Sequence, residues 1–220
     1  MSKIEELLIL SHKISKFTVG AEGNTSVRDG NFFYIKASGF ALSTLNENHI
    51  IKCDLTGQQL NNFHLKPSLE TDFHSLIYRI TDARFIAHTH PTETLKILCS
   101  NKISRFAKER LFPDHVVFNG EESCVVNYAH PGIELKNAIE KAFKTYFLQK
   151  KKFPDLTLLQ NHGILCMSVN MKNCIFATEI CEKAASVFLS AKTKKLVFLT
   201  AEQKQRILND EGEIFRRMKK

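Results

Sequence analysis

Residues 69–83, LETDFHSLIYRITDA, carry apolar side chains at Leu69, Phe73, Leu76, Ile77 and Ile80. That spacing returns to one face every three or four residues and predicts a helix. A similar amphipathic pattern, with Glu5 and Glu6 set inside it, predicts a first helix over about 3–16. Short apolar runs bounded by turn residues predict strands. They are Ile50–Asp54, Phe85–His88, Val116–Phe118, Cys124–Val126, Leu156–Leu159 and Ile164–Val169. Arg28-Asp29-Gly30-Asn31 supplies hairpin chemistry between two further strands. Further helices are predicted over about 92–100, over 132–149 after Pro131, and over 171–194, with a helical tail from Ala201. No repeat, low-complexity block or linker divides the chain. The expected fold is therefore α/β. One domain spans residues 1–220, built on a mostly antiparallel central sheet flanked by helices.

Composition adds bounds. A chain of 220 residues with 43% hydrophobic and 25% charged content is ordinary for a globular protein. No apolar run reaches the length of a membrane span, and the N-terminal stretch lacks the apolar centre of a signal peptide, so a cytoplasmic location is expected. The net charge of +8 comes from scattered residues. Its densest runs, Lys150–Lys152, Lys192–Lys195 and Arg216–Lys220, read as solvated helix ends or tail, and no nucleic-acid partner is expected. The six cysteines, Cys53, Cys99, Cys124, Cys166, Cys174 and Cys181, form no C-x-x-C pair and read as free thiols.

Chemistry enters at Ala87-His88-Thr89-His90-Pro91. Residues two apart on a strand share a face, so His88 and His90 converge on one point, a spacing that suits two ligands of a divalent metal. Pro91 ends the strand and places the pair at the sheet rim. The plain alternative is two half-exposed histidines with no common role. His162 lies in Asn161-His162-Gly163 between two apolar strands. An unsatisfied buried ring costs about 1–3 kcal/mol, so His162 must be bonded or ligating. Gly163 beside it permits a positive φ and a tight turn. Three histidine ligands leave an open position, the pattern of a catalytic rather than a structural zinc.

Lys66-Pro67-Ser68-Leu69-Glu70 precedes the helix of 69–83. Ser68 fits an N-cap, and Glu70 falls in the first turn, where a carboxylate contributes about 0.3–1 kcal/mol through the helix dipole. The alternative is a base beside the metal. His74 follows four residues later on the same helix face, as a second partner or a packed histidine. Gly23-Asn24-Thr25-Ser26 and Lys36-Ala37-Ser38-Gly39 are polar turns able to face an anion, though such turns are common connectors.

Read in order, Gly23-Asn24-Thr25-Ser26, Ser38-Gly39, Pro67-Ser68-x-Glu70, His88-Thr89-His90-Pro91 and Asn161-His162-Gly163 resemble the motifs of the class II aldolase/adducin family. The resemblance runs from about Gly20 to about Val169. It implies that His88, His90 and His162 bind a divalent cation, Zn2+ or another such as Mn2+ or Co2+. It implies that Glu70 is the catalytic acid/base, and that Asn24, Ser38, Gly39 and Ser68 hold a substrate phosphate. Leu69 stands where such aldolases often carry a second serine, so one phosphate hydroxyl is missing. The implied activity is retro-aldol cleavage of a ketose or ketose phosphate through a metal-stabilised enediolate. Dehydratases, decarboxylases, epimerases and non-catalytic adducin-like scaffolds share the pattern, and the epimerases carry Asp at the glutamate position. The resemblance further implies a homotetramer with interfacial active sites and a tyrosine proton donor from a neighbouring subunit, for which Tyr128 is a candidate.

Overall fold

A computed structural model describes residues 1–190 and 196–218. The first helix, α1 (Lys3–Ile14), is held at its start by Ser2 and Glu5 in a reciprocal capping box. The hairpin β1 (Asn24–Asp29) and β2 (Phe32–Lys36) follows as predicted, turning at Gly30, whose φ is 59°. Next come β3 (Ile50–Asp54), α2 (Thr71–Ile80), β4 (Phe85–Thr89), α3 (Thr92–Leu98), α4 (Ile103–Lys108) and α5 (Pro113–Asn119). The chain continues through β5 (Cys124–Val126), α6 (Ile133–Lys150), β6 (Leu156–Leu159), β7 (Gly163–Ser168), α7 (Met171–Ser190), α8 (Ala201–Leu208) and α9 (Glu211–Met218).

The strands form one seven-stranded sheet in the order β3-β2-β1-β4-β7-β6-β5. Neighbours pair antiparallel, except that β5 and β6 run parallel. A parallel pair needs a long crossover, and α6 supplies it. Apolar cores lie on both faces. Phe85 and Ala87 of β4 join one with α1 and α7, while Ile86 joins the other with Phe73 and Ile77 of α2. The alternation puts His88 on the α2 side, which is what aims it at Glu70.

Three expectations are corrected. Val116–Phe118 is not a strand; it lies inside α5, where Pro113 occupies the first turn and Val116 and Val117 are buried. A three-residue apolar run cannot distinguish a buried helix from a strand, and Pro113 was the deciding signal. The helix expected over 69–83 is Thr71–Ile80, and Ser68 is not its N-cap. Pro67 bridges to Ala37, and the Ser68 N–H donates to the Lys36 carbonyl at 3.2 Å, so this segment is strapped to the end of β2 and the helix starts later. Glu70 takes the N-cap position without a side-chain capping bond. Residues 191–194 of the helix expected over 171–194 lie outside the described residues, as do 219–220 of the tail. All six cysteines are free.

Candidate active site

Three elements bring the histidines together. His88 is in β4, and His90 follows that strand's end. His162 lies in the turn between β6 and β7, where Asn161 adopts a φ of 55°. Gly163 does not supply the positive φ expected of it. It begins β7, and a Cβ there would press into the His90 ring and lie 2.5 Å from the Thr89 carbonyl oxygen. Its role is close approach. Gly23 combines both demands: its φ is 68°, and a Cβ would meet the His88 carbonyl oxygen at 2.7 Å. Asn24 can then pair with His88 across the β1–β4 ladder.

One ring nitrogen from each of His88, His90 and His162 lies within 4.8 Å of the others, a group that could hold a metal ion. His88 Nδ1 is 2.9 Å from the Ile164 carbonyl, which only accepts, so Nδ1 carries the proton. His90 Nδ1 faces Glu22 Oε2 at 3.2 Å and is protonated for the same reason. Both Nε2 atoms therefore present lone pairs to each other across 2.9 Å. Glu70 Oε2 lies 3.2 Å from His88 Nε2, and Glu70 Oε1 lies 3.2 Å from His162 Nε2. Protonating the rings is the costly way to relieve this crowding. Burial, then its neighbour His90, pushes His88 down to about 3, and burial, then His88, pushes His162 down to about 4. Burial likewise drives the Glu70 carboxyl above its ordinary range.

These residues fit a divalent cation. Tetrahedral zinc with nitrogen ligands at about 2.0–2.1 Å sets those nitrogens about 3.3 Å apart, between the 2.9 Å of the His88–His90 pair and the 4.8 Å that bounds all three. Backbone and carboxylate partners on the outer nitrogens fix ring orientation as metal sites require. Glu70 Oε1 is buried and has no hydrogen-bond donor.

The remaining predicted residues gather at the same sheet end. Asn24 opens β1, and Ser38 and Gly39 lie just past β2 in exposed positions. The Ser38 N–H donates to the Lys66 carbonyl at 2.8 Å, setting that turn beside Ser68. Ser68 Oγ accepts from the Glu70 N–H at 3.3 Å. The Asn24 side chain is committed internally: Nδ2 donates to Glu70 Oε2 at 2.6 Å, and Oδ1 meets His74 Nε2 at 2.5 Å. Tyr128 is 61% exposed.

The sequence pattern assigns no role to Glu22, and to Lys36 only a place in a polar turn. Glu22 orients His90 from a loop. Lys36 is buried at the end of β2, and its Nζ donates to the Ala21 and Phe40 carbonyls at 2.7 Å each. It ties the turn before β1 to the loop after β2; Asn24–Ser26, expected as a polar turn, are instead buried in β1. Burial pulls its ammonium down to about 8, against the opposing pull of Glu70.

Residues 10–189 match the class II aldolase and adducin N-terminal domain. The chain belongs to that family. It is 32% identical over 177 residues to an L-fuculose phosphate aldolase of Methanocaldococcus jannaschii, an alignment covering 79% of this chain and 87% of the relative. It is 27% identical over 186 residues to a 3-oxo-tetronate 4-phosphate decarboxylase of Haemophilus influenzae, covering 84% of each. Among solved structures, an L-fuculose 1-phosphate aldolase superposes with a TM-score of 0.76 at 25% identity over 93% of each chain. The fold matches that of this class II aldolase relative.

Proposed function

We propose that this family member is a divalent-metal-dependent aldehyde-lyase that cleaves a ketose or ketose phosphate between C3 and C4. The observation that carries the reading is Glu70. A buried carboxylate oxygen without a hydrogen donor stands 3.2 Å from His162, beside two imidazoles whose lone pairs converge. His88, His90 and His162 would hold the cation, zinc first and Mn2+ or Co2+ as alternatives. When bound, the cation supplies Lewis-acid polarisation of the substrate's C2 carbonyl.

The chain's own groups account for the rest. Cleavage breaks the C3–C4 bond, leaves its electron pair on C3 conjugated with the carbonyl, and removes the proton of the C4 hydroxyl as the aldehyde leaves. C3 then takes up a proton. Glu70 Oε1 is the group positioned to carry protons at this site, and burial makes it the stronger base. Phe73, edge-on to His88 at 5.8 Å between ring centroids, packs the His88 ring against the apolar core. Ser38, Gly39 and Ser68 offer hydroxyls and backbone to a phosphate, with the Lys36 charge beneath them. The same proposal includes a homotetramer with interfacial sites, Tyr128 as the donor reaching a neighbouring site, and a cytoplasmic location. Among the described residues, no helix is long and apolar enough to cross a membrane.

A decarboxylase reading has its own support. Leu69 stands in place of a second serine and is 76% exposed, and relatives named as decarboxylases match over most of the chain. One screen separates the two. Zinc-loaded protein is offered phosphorylated and free ketoses, with aldehyde release as readout, and 3-oxo acid phosphates, with carbon dioxide as readout. Aldehyde release supports the lyase; carbon dioxide without aldehyde replaces it with the decarboxylase. Inertness toward both panels overturns the enzyme reading.

A further inference from the structure

Behind Glu70 runs a buried chain of side chains that the proposed chemistry does not use. Glu70, His74 and Tyr78 are four residues apart along α2 and its N-cap. Asn24 and Ser26 are two apart on β1. Four helical residues rise about 6 Å, and two strand residues about 6.6 Å, so the two ladders stay in step. They interdigitate. Asn24 Nδ2 meets Glu70 Oε2 at 2.6 Å, and Asn24 Oδ1 meets His74 Nε2 at 2.5 Å. His74 Nδ1 meets Ser26 Oγ at 2.6 Å, and Ser26 Oγ meets the Tyr78 hydroxyl at 2.6 Å. Asn24, Ser26, His74 and Tyr78 are all at most 3% exposed.

The direction of every bond follows from the two ends. A carboxylate only accepts, so Asn24 turns its amide nitrogen to Glu70 and its oxygen to His74. His74 must then carry its proton on Nε2, which leaves Nδ1 as an acceptor. Ser26 donates its one proton to Nδ1, so Tyr78 donates to Ser26. Reversing the chain would set the Asn24 oxygen against the Glu70 carboxylate and leave the Tyr78 hydroxyl proton without an acceptor. A buried donor left unmatched is disfavoured, so the Tyr78 end locks the polarity.

We propose that His74, backed by Ser26 and Tyr78, is a positioning residue for Glu70. It fixes the Asn24 amide, which holds Oε2 and leaves Oε1 free on the side of His162. The proposal rests on Glu70 being the proton-carrying group of the site. It also gives the Asn24 side chain a role inside the protein rather than on the substrate.

Partners that orient a site from behind typically change activity by about 10–100-fold when removed. His74→Leu is expected to lower kcat by about that factor, with KM and bound zinc unchanged. His74→Gln, which keeps a donor toward Asn24, is expected to recover most of the loss. Tyr78→Phe, the milder change should His74→Leu fail to fold, is expected to lower kcat with the same unchanged KM. The double variant is expected to be no slower than His74→Leu, because both act through one chain. Losses that multiply, a Gln variant no better than Leu, or an effect on KM alone would each overturn the proposal. Two measurements need no turnover. Nitrogen-15 NMR of histidine-labelled protein is expected to show His74 as the Nε2–H tautomer, and a protonated Nδ1 overturns the scheme. In a crystal structure of His74→Leu, the Glu70 carboxylate is expected to have left Asn24; an unmoved carboxylate overturns the positioning role. If the wild type is inert toward every substrate, the proposed function falls, and these two measurements still decide the inference.

Discussion

Gly163 and His90 are packed so closely that no side chain fits between them. A Cβ at 163 would occupy space held by the His90 ring and lie 2.5 Å from the Thr89 carbonyl oxygen. The ring could swing away, but the strand backbone could not. Gly163→Ala is therefore expected to push His90 off the common point of the three imidazoles. Overpacking of this kind costs about 1–3 kcal/mol. Zinc content after dialysis and a urea midpoint check both parts. A variant that binds zinc as tightly as wild type would mean that His90 is not a ligand.

Glu22 holds the outer nitrogen of that same ring. Its Oε2 lies 3.2 Å from His90 Nδ1, and its Oε1 accepts the Val19 N–H at 2.6 Å, which fixes the carboxylate to its own turn. The carboxylate sets the tautomer that points Nε2 inward. Removing such a partner weakens metal affinity by about 10–100-fold. Glu22→Ala is expected to fall in that range, and Glu22→Gln to fall less, since its amide oxygen still accepts from Nδ1. Competition with a fluorescent zinc chelator measures both. Equal affinities in all three proteins would assign the Glu22–His90 contact no part in binding.

These two contacts mark where the sequence ran out. His88 and His90 were legible because a strand's period of two sets them on one face, and the family motifs placed His162 and Glu70 with them. The α/β fold with its mostly antiparallel sheet was legible from apolar periodicity. Glu22 and Lys36 were not, because a loop glutamate and a strand-end lysine carry no local pattern; only the packed sheet brings them to the site. The misread of Val116–Phe118 has the same root, since burial on all sides erases the periodicity that separates helix from strand. The ladder of Asn24 and Ser26 against Glu70, His74 and Tyr78 did leave a trace. Spacings of two and four on adjoining elements are visible in the chain, but only the register shows that they meet.

Glu70→Gln separates binding from turnover. Gln keeps an oxygen for the Asn24 amide but cannot take a proton. Losing a general base typically lowers turnover by about 100-fold or more, and zinc content is expected to stay at about one ion per chain. Burial disfavours the Glu70 charge, so the metal-free variant is also expected to be at least as stable as wild type. Unchanged turnover would remove Glu70 from the mechanism. A large loss of zinc would recast it as a ligand.

The metal-free protein should be sensitive to mild acid. His88 and His162 are pushed down to about 3 and about 4, and burial holds His74 and His115 well below their ordinary value. In the unfolded chain these rings protonate near about 6.5. Between that value and the folded ones, only the unfolded state takes up the protons, so each step toward acid favours unfolding. Glu70 opposes this, because its raised folded value favours proton uptake by the folded state, but it is one group against four. Asp54 and Glu140, held below the ordinary carboxylate range by their partners, stay ionised down to pH 5 and contribute little in this window. Urea midpoints of metal-free protein are therefore expected to fall steadily from pH 7.5 to pH 5. Saturating zinc is expected to raise the midpoint at pH 7.5 and to lose that advantage as protons compete for the same nitrogens. A midpoint that is flat across the window in metal-free protein would mean that the buried imidazoles take up protons in the folded state as readily as in the unfolded chain, and with that the lone-pair convergence that favours a cation would disappear.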